Sequence, residues 1–439
     1  MPTSGLLRYE YDANGNMVKK TDARGVIACL GTLSGTTCTA DYDDLNRPKK
    51  KSYSDGTSAV TYCYDGKTGA SCAGTSAAPS IGRLTWIGND ISSTSYQYDS
   101  LGRVVRSTQT TGTQPYSFGN ATDPGYEYNR AGALTKIRLP SGRMISYGYD
   151  KANRIISATG TKAAVTTTYA NQFQYTPHGA IEQMTLGNQL TETAQYNDRL
   201  QPTVIGGWRG GLLLGLFYDY GTTNNNGNVQ SQGAVRAGKT WTQNYSYDPL
   251  NRLKTATESG AGAWNQTYVY DKYGNRALLA GGYIPAGSLT PQVAIDNPAQ
   301  VEPLFPGNRH NAGVSYDLAG NIQGFSLNSH SYTFDAENRM KTATTPSGAT
   351  QYFYDGEGRR VKKVAGATTT TYVYDAQGSL AAEYGTPNEG GAQYLTADHL
   401  GSTRLVTDAW GVPVRSYDYL PFGEDLPAGA FGRDGLFPT

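Results

Sequence analysis

A short phrase that recurs along the chain constrains its fold more than any other feature. "YSYDPLNRLKTAT" begins at Tyr245, and related phrases begin at Tyr96, Tyr147, Tyr332 and Tyr352. Each phrase has two aromatic residues separated by one residue, then Asp or its equivalent, then Gly or Asn three residues later. A recurrence of about 21 residues is typical of an array in which every repeat is one small unit that packs against its neighbours.

The pattern within one repeat predicts a β-hairpin. Tyr-x-Tyr places both rings on one face of a strand, because side chains alternate along a strand with a period of two. Asp followed three residues later by a residue that tolerates positive φ specifies a type I turn with a bulge. The predicted turn positions are Asp12 and Gly15, Asp99 and Gly102, Asp150 and Asn153, Asp248 and Asn251, Asp271 and Gly274, Asp335 and Asn338, Asp355 and Gly358, and Asp375 and Gly378.

Stacked hairpins predict an all-β fold. A single hairpin is marginal in water, so hairpins must pack side by side. The 34 tyrosines supply apolar area that other folds take from leucine, and each keeps one hydroxyl for a hydrogen bond. Because strands twist, a sheet of so many hairpins cannot stay flat. We therefore predict a repeat array of antiparallel β-hairpins coiled into a spiral, shell-like wall.

Composition argues against several classes of function. The net charge is +1 and 17% of residues are charged, so no electrostatic pattern points to nucleic acid. The longest apolar run, "LLLGLF" from Leu212, is too short to span a bilayer. No nucleotide-binding fingerprint lies between a strand and a helix. We expect no nucleic-acid partner, no membrane span and no cofactor.

The candidate catalytic residues favour a structural interpretation. The motif aspartates are predicted to accept turn amides, since a repeated turn supplies neither a pocket nor a partner group. "ADHLGSTR" places Asp398, His399 and Ser402 close together, but a catalytic triad is assembled across a fold rather than along one strand. His178, His310 and His330 have no ligand at metal spacing. We predict no catalytic residue, no metal site and no enzymatic activity.

The four cysteines form two pairs with equal spacing. Cys29 and Cys38 flank "LGTLSGTT", and Cys63 and Cys72 flank "YDGKTGAS". The ends of such a loop face each other in a hairpin, at a separation that a disulfide can bridge. The spacing fits no common zinc pattern. We predict two local disulfides, with free buried thiols as the alternative.

The residue between the paired aromatics changes character along the chain. It is polar or small in early repeats, as at Gln97 and Glu127, and becomes apolar at Val269, Phe353 and Val373, with Thr333 as the exception. An apolar residue on the second face of a thin wall requires a covering layer. We expect the segment from Tyr394 onward, or a neighbouring coil, to supply it.

The repeated motif resembles the YD repeats of Rhs proteins, which include shell components of bacterial toxin complexes and contact-dependent toxins. The resemblance covers almost the whole chain. "YLTADHLGSTRLVTDAWGVPVRSYDYLPFGE", from Tyr394 to Glu424, is similar to the first half of the Rhs-associated core domain. We therefore predict a YD-repeat array over residues 1–390 and an incomplete, N-terminal part of the core domain over residues 391–439.

The resemblance implies a function in toxin delivery. In the family, the hairpins form a hollow shell around a toxic C-terminal domain, which an aspartyl-type self-cleavage at the end of the core releases. The family segments that carry this cleavage do not follow Glu424, so we assign no cleavage residue and expect both ends to be cuts through a longer molecule. A non-enzymatic scaffold or encapsulating shell segment without its toxin is the predicted function.

The expected partners are an encapsulated toxin domain or the remainder of the shell. The expected location is secreted or at the cell surface, although the N-terminus shows no signal peptide. The alternative function is a cell-surface carbohydrate-binding or adhesion module, in which exposed tyrosine rows bind a glycan.

Overall fold

Strands make up nearly all of the regular structure. The computed structural model describes residues 6–75, 78–223, 225–236, 238–260, 263–285, 288–311, 313–326, 329–385 and 391–426. The chain divides into two compact units, one of residues 1–145 with 313–387 and one of residues 146–312 with 388–439. The boundary predicted between residues 390 and 391 separates the repeat array from the core-domain part by sequence resemblance, and it stays a prediction.

The first unit opens with strands that alternate with tight turns. They are β1 (Arg8–Tyr11), β2 (Met17–Thr21), β3 (Ile27–Cys29), β4 (Gly31–Ser34), β5 (Thr37–Ala40), β6 (Lys50–Tyr53), β7 (Val60–Tyr64), β8 (Leu84–Gly88), β9 (Ser92–Tyr98), β10 (Val104–Thr111), β11 (Gln114–Phe118), β12 (Tyr126–Tyr128) and β13 (Leu134–Arg138). Strand β14 (Met144–Tyr149) contains the boundary to the second unit.

The second unit continues the same alternation. Its strands are β15 (Ile155–Lys162), β16 (Val165–Tyr175), β17 (Ile181–Leu186), β18 (Thr191–Tyr196), β19 (Pro202–Trp208), β20 (Leu212–Asp219), β21 (Ser231–Arg236), β22 (Lys239–Tyr247), β23 (Leu253–Gly260), β24 (Asn265–Tyr270), β25 (Arg276–Leu279) and β26 (Gln292–Val293). Three short 3₁₀ helices follow, at Pro298–Gln300, Glu302–Leu304 and Pro306–Asn308.

The remaining strands complete both units. The first unit gains β27 (Val314–Tyr316), β28 (Ile322–Phe325), β29 (His330–Phe334), β30 (Met340–Thr345), β31 (Gly348–Tyr354), β32 (Arg360–Ala365), β33 (Thr368–Tyr374) and β34 (Leu380–Tyr384). The second unit gains β35 (Tyr394–Ala397), β36 (Thr403–Thr407) and β37 (Pro413–Ser416). Residues 427–439 of the predicted core-domain part lie outside the described residues.

Sheet order follows chain order almost throughout. In the first unit, one sheet has the order β1-β2-β3-β6-β7-β8-β9-β10-β11, and another runs from β27 to β34 in sequence. In the second unit, β15 to β26 are neighbours in sequence, and β35-β36-β37 form a separate sheet. Pairing is antiparallel except between β25 and β26, which are parallel. The prediction of an all-β array of antiparallel hairpins is confirmed.

Successive hairpins join in a common register. Thr255 lies opposite Thr267 between β23 and β24, and Lys362 lies opposite Thr371 between β32 and β33. Gln183 and Thr193, and Thr342 and Gln351, are paired in the same way. In each pair, the seventh residue after one motif position lies opposite the fourth residue before the next. The turn therefore fixes both its own hairpin and the alignment of the following one.

The aromatic face of the second unit is covered by the C-terminal segment, which we define as residues 391–426. Leu405 of this segment is fully buried in a cluster with Leu214, Leu216 and Trp241. Leu420 is buried in a second cluster that contains Tyr268 and Tyr270. The predicted core-domain segment thus packs against the tyrosine rings and not against the opposite face.

The opposite face is covered by a different part of the chain. Val269 is 1% exposed and lies in a cluster with Val293 and Val301, which belong to the insertion between β25 and β27. Val373 is also fully buried, whereas Gln97 is exposed and Phe353 is half-buried. The expected covering layer exists at Val269, but our expectation that the segment from Tyr394 onward forms it is wrong there.

Candidate functional site

The motif aspartate organises each turn through its carboxylate. At Asp248, one carboxylate oxygen accepts hydrogen bonds from the backbone amides of Leu250 and Arg252, both at 2.9 Å. The backbone N–H of Asn251 donates to the Asp248 carbonyl, and the Asp248 N–H donates to the Arg252 carbonyl. Asn251 has φ of 59°, which closes the turn with a bulge. The carboxylate oxygens of Asp248 are thus engaged within the turn.

The predicted turn positions share this geometry. Each of the eight predicted aspartates accepts hydrogen bonds from the amides two and four residues later. The residues three positions later have positive φ: Gly15 83°, Gly102 79°, Asn153 62°, Asn251 59°, Gly274 90°, Asn338 59°, Gly358 85° and Gly378 85°. Each pair of these residues lies in its own turn, where the carboxylate is bound by amides of that turn.

An arginine four residues after the aspartate extends the turn toward the next repeat. The second carboxylate oxygen of Asp248 accepts a 2.7 Å hydrogen bond from the Arg252 guanidinium. The same guanidinium lies 4.5 Å from the ring centre of Tyr270, in the following repeat. Equivalent guanidinium–ring distances of 4.3–5.1 Å occur for Arg47 and Tyr64, Arg103 and Tyr128, Arg154 and Tyr175, Arg339 and Tyr354, and Arg359 and Tyr374. A cation over an aromatic face is attractive.

The tyrosine immediately before the motif position completes the contact between repeats. The Tyr270 hydroxyl donates a 2.8 Å hydrogen bond to the carbonyl of Leu253, next to Arg252. Nine further tyrosines at this position donate to a carbonyl of the preceding repeat, at 2.5–3.4 Å: Tyr42 to Met17, Tyr64 to Pro48, Tyr98 to Leu84, Tyr128 to Val104, Tyr175 to Ile155, Tyr196 to Ile181, Tyr247 to Val229, Tyr354 to Met340 and Tyr374 to Arg360. Tyr220, which follows Asp219, donates to Pro202 in the same way, and Tyr419, which precedes Leu420, donates to Thr403. We call this arrangement the inter-repeat contact.

The electrostatics of the turns follow from these contacts. The Arg154 backbone amide, and then its guanidinium, hold the pKa of the Asp150 carboxyl below its ordinary value. The Asn16 side chain does the same for the pKa of Asp12. Burial raises the pKa of the Tyr270 hydroxyl, so this group stays protonated and remains a donor.

Two aspartates of the repeated phrase do not form this turn. Asp65 itself has φ of 65°, and its carboxylate accepts from the Arg47 guanidinium and the Gly82 amide. Asp219 precedes a longer loop, and its carbonyl accepts from the Gln230 amide. Both begin loops that lack Gly or Asn three residues later, which is the element that the turn requires.

Three further turns of the same kind are not predicted by the repeated phrase. Asp22 with Gly25, Asp398 with Gly401 and Asp408 with Gly411 show the same backbone hydrogen bonds. Asp398 and Asp408 also accept the amides two and four residues later. These three aspartates are not preceded by a tyrosine, so they do not match the repeated phrase. The shorter pattern Asp-x-x-Gly would have predicted these turns.

Both cysteine pairs form disulfides in the structure. Cys29 bonds to Cys38 and Cys63 to Cys72, with Cα–Cα distances of 5.6 and 5.2 Å. Cys29 and Cys63 are almost completely buried. Each bond closes a loop between strands of the first unit.

The C-terminal segment is fixed to the second unit by a buried ion cluster. The Asp418 carboxylate lies 2.9 Å from the guanidinium of Arg236 and 2.9 Å from that of Arg404. Asp398 lies 3.5 Å from Arg404. All four side chains are at most 8% exposed. The two guanidiniums and the two carboxylates neutralise each other's charge in a place that is shielded from water. Removal of one partner from such a buried cluster would destabilise the fold.

Asp398 and His399 of the Asp-His-Ser sequence at residues 398–402 contact different partners. Asp398 is a turn aspartate, and its carboxylate accepts the amides of Leu400 and Ser402. The His399 ring packs against Tyr218 with 4.3 Å between ring centres, and burial lowers the pKa of its imidazole. Within the part of the chain that the structure describes, no cluster of His, Cys, Asp and Glu could hold a metal ion.

One cavity of the second unit is lined by aromatic and charged residues. It has a volume of 550 Å³, and its walls include Tyr245, Tyr270, His399, Arg404 and Phe422. The hydroxyls of three lining tyrosines, Tyr247, Tyr270 and Tyr419, already donate to backbone carbonyls. Over the described ranges, no helix combines the length and the hydropathy that crossing a bilayer requires.

Comparisons with known proteins agree with this architecture. A family model described as RHS Repeat matches residues 128–168. No curated protein is detectably similar in sequence. Among solved structures, TcdB2-TccC3-TEV superposes with a TM-score of 0.64 at 15% identity, and TcdB2-TccC3 with 0.62 at 15%. The Photorhabdus luminescens Tc holotoxin pore superposes with 0.63 at 14%.

Each of these three matches covers 96% of this chain but 24% of the other, so the chain spans about a quarter of their length. The fold and the inter-repeat contacts define an all-β hairpin-repeat protein. Residues 128–168 match the RHS Repeat family model, and the chain shares the fold of these three structures.

Proposed function

We propose that the chain is a segment of the wall of an RHS toxin-delivery protein, in which it acts as a non-enzymatic scaffold. The inter-repeat contact carries this proposal. It uses the aspartates, arginines and tyrosines that the repeats supply to hold one hairpin to the next, as in Asp248, Arg252 and Tyr270. The engagement of these side chains in contacts between repeats supports the non-enzymatic part of the proposal.

The proposed partners are an encapsulated toxin domain or the remainder of a shell. The support is the fold shared with the TcdB2-TccC3 chains over 96% of this chain. The two disulfides support a location outside the cytoplasm, either secreted or at the cell surface, because disulfides persist in oxidising compartments.

Electron microscopy of the purified full chain tests the wall proposal. We expect density for a coiled sheet that curves around a solvent-filled space. A flat ribbon, or two sheets packed face to face with no space between them, would contradict the proposal. A second measurement addresses catalysis: the intact mass should stay at 47.1 kDa after prolonged incubation, and a cut at one specific bond would show an activity.

A carbohydrate-binding module is the second candidate function, and the 550 Å³ cavity favours it. Aromatic faces beside polar groups suit a sugar ring. We rank it second because the hydroxyls of Tyr247, Tyr270 and Tyr419 donate to backbone carbonyls instead of facing the cavity as free donors. A glycan array with the full chain separates the candidates. Binding to one glycan class that Phe422→Ala abolishes would favour the carbohydrate-binding function.

A further inference from the structure

Four glutamines are buried in the part of the chain that the structure describes, and three of them use both ends of the side-chain amide. In Gln243, the nitrogen donates to the Glu258 carboxylate at 2.9 Å, and the oxygen accepts from the Tyr245 hydroxyl at 2.6 Å. The amides of Gln109 and Gln266 also donate and accept hydrogen bonds. A buried glutamine of this protein is therefore normally bonded at both ends.

The fourth buried glutamine, Gln232, is different. It is 7% exposed, and no described residue donates to its side-chain oxygen or accepts from its side-chain nitrogen. It lies directly opposite Gln243 in the pairing of β21 with β22, so the two side chains are on the same face of the sheet. Burial of an amide without a hydrogen bond is costly, and we therefore expect a partner for Gln232 that is not part of the chain.

Gln232 is one of the residues that line the 550 Å³ cavity of the second unit. The walls of this cavity combine residues of the repeat strands with His399, Arg404 and Phe422 of the C-terminal segment. A cavity of this size with aromatic walls and few polar groups is typical of sites for small molecules. The unpaired amide and the cavity thus indicate the same place for a ligand.

The tyrosine hydroxyls around the cavity are already used. Tyr245 donates to Gln243, and the other three lining tyrosines donate to backbone carbonyls: Tyr247, Tyr270 and Tyr419. These side chains therefore offer a ligand their ring surfaces and not a hydroxyl donor. A sugar, which presents a hydroxyl at almost every carbon, would find few partners here.

The charges around the cavity are also paired. The Arg252 guanidinium lies 2.7 Å from the Asp248 carboxylate, and the Arg404 guanidinium lies 2.9 Å from Asp418 and 3.5 Å from Asp398. An anionic ligand would need a cation that is not already neutralised, and a cationic ligand would need such a carboxylate. The cavity therefore suits an uncharged molecule.

We propose that this cavity binds an uncharged aromatic molecule that carries a carboxamide or a lactam group. Such a group has an N–H donor beside a carbonyl acceptor, and the Gln232 amide provides the complementary acceptor and donor. Tyr245 and Phe422 supply apolar ring surfaces for the aromatic part of the ligand. The inference does not depend on the proposed role of the chain in a wall.

Saturation-transfer NMR with the full chain tests this proposal with benzamide as the probe. Benzamide should bind with a dissociation constant of about 1 mM, which is appropriate to a ligand of its size. Benzoate has the same shape but is charged and lacks the N–H donor, so it should bind at least about tenfold more weakly. The absence of a benzamide signal, equal binding of the two probes, or binding of methyl glucoside in place of benzamide would overturn the proposal.

A substitution of the glutamine provides the second test. Gln232→Met keeps the length of the side chain and removes both polar atoms, so it should weaken benzamide binding about tenfold. It should also raise the melting temperature of the ligand-free chain, because an unpaired buried amide is lost. Gln243→Met is the matched control and should lower the melting temperature, because that amide is bonded at both ends.

If Gln232→Met does not fold, Gln232→Leu repeats both measurements with a branched apolar side chain. Two outcomes would contradict the assignment of Gln232. One is benzamide binding that the apolar side chain leaves unchanged. The other is a melting temperature that falls as far as in Gln243→Met, which would show that the Gln232 amide is already satisfied in the ligand-free chain.

Discussion

The hydroxyl of Tyr270 donates a 2.8 Å hydrogen bond to the carbonyl of Leu253, one hairpin earlier in the chain. The Arg252 guanidinium lies over the same ring at 4.5 Å and binds Asp248 at 2.7 Å. One tyrosine, one arginine and one aspartate therefore join the turn of one repeat to the strand of the next. The contact recurs along the chain. The stability lost when it is removed at one repeat therefore indicates what the same contact contributes at the other repeats.

The first prediction concerns the hydroxyl in this contact. Tyr270→Phe should lower the free energy of unfolding by about 1–2 kcal/mol, because the Leu253 carbonyl loses a hydrogen bond in a poorly hydrated place. Urea denaturation monitored by tryptophan fluorescence measures the change. The matched control is Tyr273→Phe, at an exposed tyrosine three residues away, which should stay within about 0.5 kcal/mol of the parent chain. Equal effects for the two variants would contradict the structural role of the hydroxyl.

The second prediction concerns the backbone of the turn. Asn251 has φ of 59°, a conformation that a β-branched residue resists. Asn251→Val should destabilise its hairpin by about 1–3 kcal/mol. Asn251→Gly removes the same side chain but accepts the conformation, so it should be much less destabilising. If the two variants melt at the same temperature, the cost lies in the lost amide and not in the backbone.

The third prediction concerns the disulfides. Non-reducing peptide mapping should recover Cys29 linked to Cys38 and Cys63 linked to Cys72. Each bond closes a short loop, so its loss should cost about 2–3 kcal/mol. Replacing Cys63 and Cys72 together by Ser, with Cys29 and Cys38 intact, measures one bond against the other. A peptide that links Cys29 to Cys63, or four thiols that react with an alkylating reagent, would exclude this pairing.

The turns were predictable because their chemistry is local. Asp248 and Asn251 lie three residues apart, and both the carboxylate acceptor and the positive φ can be inferred from residue types. The role of Arg252 was not predictable from the sequence. Its contact with a second partner, Tyr270, depends on the register between neighbouring hairpins. The pairing of Arg236 with Asp418 spans 182 residues, and no spacing in the sequence indicates it.

The cover over Val269 shows the same limit. Its apolar character predicted a covering layer, and Val269 is buried. The sequence did not identify the layer, because Val293 and Val301 lie in an insertion outside the repeat pattern. The positions of residues that follow the repeat pattern could be predicted from the sequence. The contacts that insertions make could not.

The fourth prediction concerns acid. The Arg154 amide and guanidinium lower the folded-state pKa of Asp150 from its ordinary value of 3.8. A group with a lowered pKa stabilises the fold above its unfolded-state pKa, and this contribution is lost as pH falls through the folded-state pKa. The melting temperature of the parent chain should therefore fall below about pH 4. The difference in melting temperature between the parent chain and Asp150→Asn should be largest near neutral pH and shrink in acid. A constant difference from neutral pH to strongly acidic pH would contradict this.

The fifth prediction concerns the buried ion cluster. Asp418→Ala leaves the guanidiniums of Arg236 and Arg404 with one carboxylate between them, and it should destabilise the second unit by about 3–5 kcal/mol. Glu424→Ala is the matched control, because Glu424 belongs to the same segment and pairs with Arg276 at a more exposed site, where a pair is worth about 0–1 kcal/mol. Limited proteolysis should cut the Asp418→Ala variant within residues 391–426 much faster than the control or the parent chain. If both variants are cut at the parent rate, apolar packing through Leu405 and Leu420 holds the segment without the cluster.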